Sequence, residues 1–201
     1  MKVPFRQQIS EFDCVPTTII NGLSYLFHRS EIPPFVVHRV YKECLDIESH
    51  RGTSSRAVQE LGFLLSNYQE KRYRKFAVAA EYLQGDQVHF KRKSKIIRCL
   101  NAKGAALLCV HTAKGNWHYI LALRLEDDWL HCHDPFPPTK QFINNDAVRI
   151  IQKCGQQEAN LIIRMDWLKK NFEDAQDLAG RKYILGNMED RECLLLNRIQ
   201  I

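Results

Sequence analysis

Four residues of this chain, Gln8, Cys14, His118 and Asp134, are of the types that together carry out nucleophilic attack on a carbonyl group. A thiol attacks efficiently as thiolate, and a nearby imidazole takes its proton and later returns it to the leaving group. Cys14 and His118 suit those two roles. A carboxylate on the second ring nitrogen orients the imidazole and favours imidazolium, which is the task open to Asp134. Gln8 supplies a side-chain N–H that, with the backbone N–H of Cys14, would stabilise the oxyanion of a tetrahedral intermediate. In QQISEFDC, Gln8 precedes Cys14 by six positions; in HYILALRLEDDWLHCHD, His118 precedes Asp134 by sixteen. Taken singly, each reads more simply as structure: a small buried thiol, a packed ring on a strand, an Asp-Pro turn. Their order and spacing together support the chemical reading, and no other residue set in the chain proposes a reaction.

The elements that must position these residues are legible from periodicity. Pro16 suits the first turn of a helix, and Ile19, Ile20, Leu23, Leu26 and Phe27 follow at helical spacing, so Cys14 is expected at a helix amino terminus. There the unpaired N–H groups and the positive end of the helix dipole favour a thiolate. After the Ile32-Pro33-Pro34 break, a second helix is expected over Phe35 to Leu45, and a third, capped by Thr53 or Ser54, through Ala57, Val58, Leu61, Leu64, Leu65 and Tyr68. Phe76 to Leu83 reads as extended. Ser94 caps a short helix through Ile96, Ile97 and Leu100, which Gly104 should stop. Then the pattern changes: Ala105 to His111, His118 to Arg124 and Trp129 to Cys132 are apolar or alternating runs separated by the turn-prone AKGN and EDD segments, an antiparallel meander. His118 opens one strand and Asp134 closes the next, so a hairpin would bring the two side by side. Further strands are expected at Val148 to Ile151, Leu161 to Arg164 and Cys193 to Ile199, with a helical stretch near Asp166 to Phe172. The class is α+β.

At 201 residues, with 45% hydrophobic and 26% charged residues, the chain suits one self-sufficient domain without repeats or low-complexity blocks. We divide it into a catalytic core over residues 1–139 and a carboxy-terminal elaboration of the same domain over 140–201. No stretch approaches the apolar length that crossing a bilayer requires, and no apolar run follows the basic residue at the amino terminus, so a cytoplasmic protein is expected. The seven cysteines are an odd, dispersed set without CxxC pairs, which argues for reduced thiols rather than a disulfide framework or a zinc knuckle. The net charge of +6 gathers partly in EKRYRK (70–75) and FKRKSK (90–95). With only Tyr73 and Phe90 inside them and no nucleic-acid-binding module around them, these runs read as solvated faces.

The strings Gln8-Ile9-Ser10-Glu11-Phe12-Asp13-Cys14, His118-Tyr119-Ile120 and Asp134-Pro135 resemble the catalytic boxes of the C39 peptidases and their stand-alone C39-like relatives, within the papain-like superfamily. The resemblance spans roughly residues 4 to 136. It implies a papain-like fold, with a helical half and its central Cys-bearing helix packed on an antiparallel sheet, and it assigns the site to Gln8, Cys14, His118 and Asp134. Exporter-type members cleave leader peptides after a Gly-Gly pair, so a peptide or small amide substrate, a leader peptide among them, is implied. The chain carries Val15 after Cys14, where those members usually have Gly, and has no Walker A loop, so export and ATP hydrolysis are not implied.

Other residues compete for roles. Gln7 neighbours Gln8, but the six-residue spacing favours Gln8. Asn116, two residues before His118, suits a turn better than an imidazole partner. His131-Cys132-His133 would place two His on one strand face and Cys132 on the other, too few ligands for a closed zinc site, so neither metal nor cofactor is expected. Trp117 and Tyr119 read as core or wall, and the Gly52-Thr53-Ser54-Ser55 segment as a helix cap or a cleft border. Three functions fit: a cysteine hydrolase acting through a thioester, an acyltransferase or transglutaminase-like enzyme using the same residues, or a non-catalytic binding protein on the same scaffold.

Overall fold

The computed structural model describes residues 3–44, 52–113, 116–140, 145–175 and 183–200. Helix α1 (Cys14–Leu26) starts at Cys14, with Asp13 as the flanking residue and Pro16 in its first turn. Ten of its thirteen residues are buried, more than an amphipathic stripe would bury, so α1 is enclosed by its neighbours. Helix α2 (Pro34–Cys44) packs beside it, and α3 (Ser55–Asn67) packs beside α2. Ser54 caps α3 by accepting from the Ala57 N–H at 3.2 Å, and Ser94 caps α4 (Lys95–Asn101) by accepting from the Ile97 N–H. The end of α4 departs from expectation. The left-handed residue is Lys103 (φ 58°), while Gly104 is required for close approach: a Cβ there would lie 2.3 Å from Asn197 Oδ1 and 2.6 Å from Cys99 Sγ.

Seven strands form one sheet, β1 (Val78–Gln84), β2 (Ala105–Ala113), β3 (Asn116–Glu126), β4 (Trp129–His133), β5 (Val148–Ile150), β6 (Leu161–Arg164) and β7 (Glu192–Arg198). Their order across the sheet is β1-β7-β2-β3-β4-β6-β5, and every pairing is antiparallel. The fold is therefore α+β. Residues 140–201 supply three of the strands, and β7 is inserted between β1 and β2 rather than added at an edge. The expected helix near Asp166 is a single turn, α5 (Met165–Leu168).

Both faces of the central strands are covered. One core gathers Val15, Ile19 and Leu23 of α1 with Leu107, Leu121 and Leu194; the other gathers Ile96 of α4, Leu168 of α5 and Tyr183 to Leu185 with Leu108 and Ile120. Covering on two sides explains why β2 and the middle of β3 read as continuous apolar runs rather than as alternation. Thr18 Oγ1 donates to the Tyr119 carbonyl at 3.1 Å, tying the first turns of α1 to β3 beside His118. Among the described residues, no helix is long and apolar enough to cross a membrane.

Candidate active site

Cys14 stands at the amino terminus of α1, half-buried. The turn that delivers it is organised by the Asp13 carboxylate, which accepts from the Ile9 N–H at 3.0 Å, the Ser10 N–H at 2.9 Å and the Ser10 hydroxyl at 3.1 Å. Gln8 precedes this turn. Its backbone N–H donates to the carbonyl of Pro135, the residue after Asp134, at 2.9 Å. Its side-chain Nε2 donates to the Ser10 carbonyl at 2.9 Å, while Oε1 is buried without a hydrogen-bond partner. Nε2 carries a second hydrogen, so one donor remains beyond that bond. Gln7 is exposed.

His118 lies near the start of β3 and is 8% exposed. The β3–β4 register pairs Leu121 with His133, so Asp134, one residue past β4, arrives level with Ile120, two residues from His118 on the same strand. At that diagonal spacing the side chains meet. His118 Nε2 donates to Asp134 Oδ1 at 2.6 Å, and the Cys14 thiol acts on the charge of the same ring, for which Nδ1 is the nitrogen left. Burial is the largest influence on this imidazole and disfavours its charge, but the hydrogen bonds to Asp134 and Cys14 and their charges outweigh it. The pKa is pushed up from 6.5 to about 9.

Asp134 is fully enclosed. Its backbone N–H donates to Asn160 Oδ1 at 2.7 Å, and its carbonyl accepts from Asn160 Nδ2 at 2.8 Å, so one amide side chain holds both sides of the peptide. Oδ1 also accepts from the Phe136 N–H at 2.7 Å, and Oδ2 accepts from the Tyr183 hydroxyl. Burial opposes the carboxylate charge, yet His118, Tyr183 and the Phe136 N–H hold its pKa below the usual aspartate range. Asn160 and Tyr183 carried no sequence signal. They lie 26 and 49 residues from Asp134, and neither belongs to a spacing that chemistry would single out.

The remaining candidates find structural roles. Tyr119 is buried, and its hydroxyl donates to Glu192 Oε2 at 2.6 Å, whereas Trp117 is 53% exposed. Trp117 has company: Ile9, Phe12 and Phe136 are 98%, 50% and 48% exposed, and each lies within two residues of Gln8, Cys14 or Asp134. In the Gly52–Ser55 segment, Ser54 caps α3, Thr53 Oγ1 donates to the Cys44 carbonyl at 2.9 Å, and the Ser55 hydroxyl donates to Glu192. Gly52 (φ 101°) approaches the Phe12 carbonyl, so the segment borders the turn before Cys14. His131 engages Arg124 and Glu126, and the His133 ring lies 4.6 Å from that of Phe5. Among the described residues, no three His, Cys, Asp or Glu side chains are grouped to hold a metal. Asn116 begins β3 and is exposed. The basic run at 70–75 surrounds a 3₁₀ turn (Lys71–Tyr73), and the run at 90–95 leads into α4, where Lys95 pairs with Glu81 at 2.5 Å.

No family model matches the chain, and no curated protein matches it. Among solved structures it is similar to one described as a double glycine motif protease from an AMS/PCAT transporter in complex with the leader peptide. The TM-score is 0.45 and the identity 14%, over 98% of this chain and 93% of that one.

Proposed function

We propose that the chain is a C39-like cysteine peptidase that cleaves a peptide or related amide bond through a thioester. One observation carries this reading: a buried imidazole, influenced by a partly exposed thiol at a helix amino terminus, is hydrogen-bonded at 2.6 Å through Nε2 to an enclosed carboxylate. In this reading Cys14 is the nucleophile, His118 the acid and base, Asp134 the residue that orients His118, and Gln8 with the Cys14 N–H the oxyanion donors. The thiolate adds to the carbonyl carbon. The tetrahedral intermediate collapses as His118 Nδ1–H protonates the departing amine, leaving an acyl thioester. Water then adds to the thioester, giving its proton to Nδ1, and expulsion of the thiolate releases the acid.

The partial exposure of Cys14 supports hydrolysis over acyl transfer, because a transferase must keep water from its thioester. The exposed apolar side chains of Ile9, Phe12, Trp117 and Phe136, all next to proposed site residues, favour a peptide with apolar side chains near the scissile bond over a small polar amide. Residues 1–139 would form the catalytic core, with 140–201 elaborating it.

The test is brief alkylation with iodoacetamide at about pH 6, mapped by mass over the seven cysteines. An ordinary thiol, with a pKa near ~8.5, reacts slowly at that pH. Burial raises the pKa of Cys99, Cys109, Cys132 and Cys193, and the exposed Cys154 serves as an internal reference. Cys14 should label fastest, and His118→Ala should remove that advantage. Equal labelling of Cys14 and Cys154 in the folded protein, with or without His118, would overturn the proposal.

A further inference from the structure

Tyr183 lies far from Cys14, His118 and Asp134 in sequence, in a stretch (Tyr183 to Gly186) that carries no motif. Its side chain is completely buried, and its hydroxyl donates to Asp134 Oδ2, the carboxylate oxygen that does not face His118. Its backbone is left-handed at φ 49°, a conformation that a bulky L-residue adopts only at a cost and holds only when its surroundings enforce it. The surroundings do so from three sides. Ile184 bridges His111 of β2 through N–H···O bonds of 3.3 and 2.7 Å, and the Leu185 N–H donates to the Leu168 carbonyl of α5 at 2.8 Å. The Gly186 N–H donates to the Lys170 carbonyl at 3.2 Å, and its own carbonyl accepts from Arg191 Nη2 at 3.0 Å and Nε at 3.1 Å. Gly186 (φ 70°) sits against the His111 imidazole, where a Cβ would lie 2.6 Å from Cδ2 and 2.7 Å from Nε2. The strained residue is therefore the part of a clamped segment that reaches Asp134.

We infer that Tyr183 is a positioning residue for the proposed peptidase site: through Oδ2 its hydroxyl fixes the Asp134 carboxylate so that Oδ1 faces the His118 ring. The inference rests on the reading of Cys14, His118 and Asp134 as a catalytic set. A carboxylate on a flexible torsion has many orientations, and only those that point Oδ1 at Nε2 hold the imidazole in line. The Phe136 N–H restrains Oδ1 and Tyr183 restrains Oδ2, so opposite ends of the group are pinned. Through this bond, residues beyond 140 contribute to the catalytic geometry, not only to the sheet.

The experiment measures the His118 imidazole pKa by NMR with and without Tyr183→Phe, in a Cys14→Ala background. There the thiol contributes nothing, and the result does not depend on turnover. If Tyr183 positions Asp134, losing the hydroxyl while keeping the ring weakens the His118–Asp134 bond, and the imidazole pKa falls by one unit or more. Gly186→Ala, which keeps the hydroxyl but pushes the clamped segment off His111, should lower it in the same direction and keeps the test open if Tyr183→Phe does not fold. An unchanged pKa would reduce Tyr183 to filling space. A rise would make it an electronic brake on Asp134 rather than a positioner, since a carboxylate that loses a donor draws the imidazolium more strongly. Either outcome overturns the inference. With Cys14 present, Tyr183→Phe should lower kcat about tenfold with KM unchanged, and should add nothing once Asp134→Asn has removed the carboxylate. Turnover that survives Cys14→Ala would instead overturn the peptidase reading and leave the NMR result standing.

Discussion

The two sides of the candidate site are built in opposite ways. On the thiol side, most of the bonds that hold residues 8–14 join near neighbours, the Gln8 amide to the Ser10 carbonyl and the Ile9 and Ser10 N–H groups to the Asp13 carboxylate, and the Gln8 N–H to the Pro135 carbonyl ties the turn to the other side. Much of this turn is exposed. On the carboxylate side, Asp134 is wholly enclosed and bonded to residues 16, 26 and 49 positions away. The difference teaches a division of labour. In the proposed peptidase, the thiol would meet its substrate from a largely locally bonded, solvent-reached turn. The imidazole and carboxylate, which would have to be aligned when charge develops, are fixed by the tertiary core, where low polarity strengthens their interaction.

Substitution of Asp134 should give the largest loss of stability. Asp134→Asn removes the charge from a buried pair and should cost about 3–5 kcal/mol by chemical denaturation, with turnover reduced while the fold persists. A loss below 1 kcal/mol would mean that the enclosed side is no more committed than the exposed one.

pH should expose the same asymmetry. The folded-state pKa of His118, about 9, lies above its ordinary 6.5, so the pair's contribution is fully present below 6.5 and is lost as pH rises through 9. Stability should fall over that window by on the order of 3 kcal/mol relative to a His118→Phe variant, read from denaturation midpoints at successive pH values. A parallel decline in both proteins would assign the trend elsewhere.

The thiol side should answer in rate rather than in stability. Gln8→Ala should lower kcat roughly 100-fold, as expected for one oxyanion donor, with a melting temperature close to that of the parent. If stability falls and kcat does not, the Gln8 amide serves only its bond to Ser10. The smallest effect is expected of Asp13→Ala. Its bonds lie at the surface, so the variant should cost about 1 kcal/mol and weaken Cys14 labelling several-fold. A loss as large as that of Asp134→Asn would erase the contrast between the two sides.

What could be read in the chain without coordinates was local or pairwise. Apolar periodicity and Pro16 are enough to begin α1 at Cys14, because helix entry is governed by the residues next to it. Ser94 could be assigned as a cap, and the cap of α3 narrowed to Thr53 or Ser54, because a cap bonds three residues ahead; the bond to the Ala57 N–H selects Ser54. The hairpin pattern of β3 and β4 predicts that His118 and Asp134 approach, since a short turn leaves few registers open. Gly104 shows where this reasoning stops: its position was legible, but the reason for it is a close approach to Asn197 at the far end of the chain.

The tertiary structure alone decided the rest. That β7 enters between β1 and β2, that Asn160 braces the Asp134 backbone, and that Tyr183 reaches its second oxygen all depend on contacts between residues remote in sequence. Such contacts form because apolar strands must be covered on both faces, and burial is indifferent to chain distance. Residue type, order and spacing by themselves nominate a thiol, an imidazole, a carboxylate and an amide for one chemistry. Whether the carboxylate is enclosed, and what holds it there, is settled only when the whole sheet closes around it.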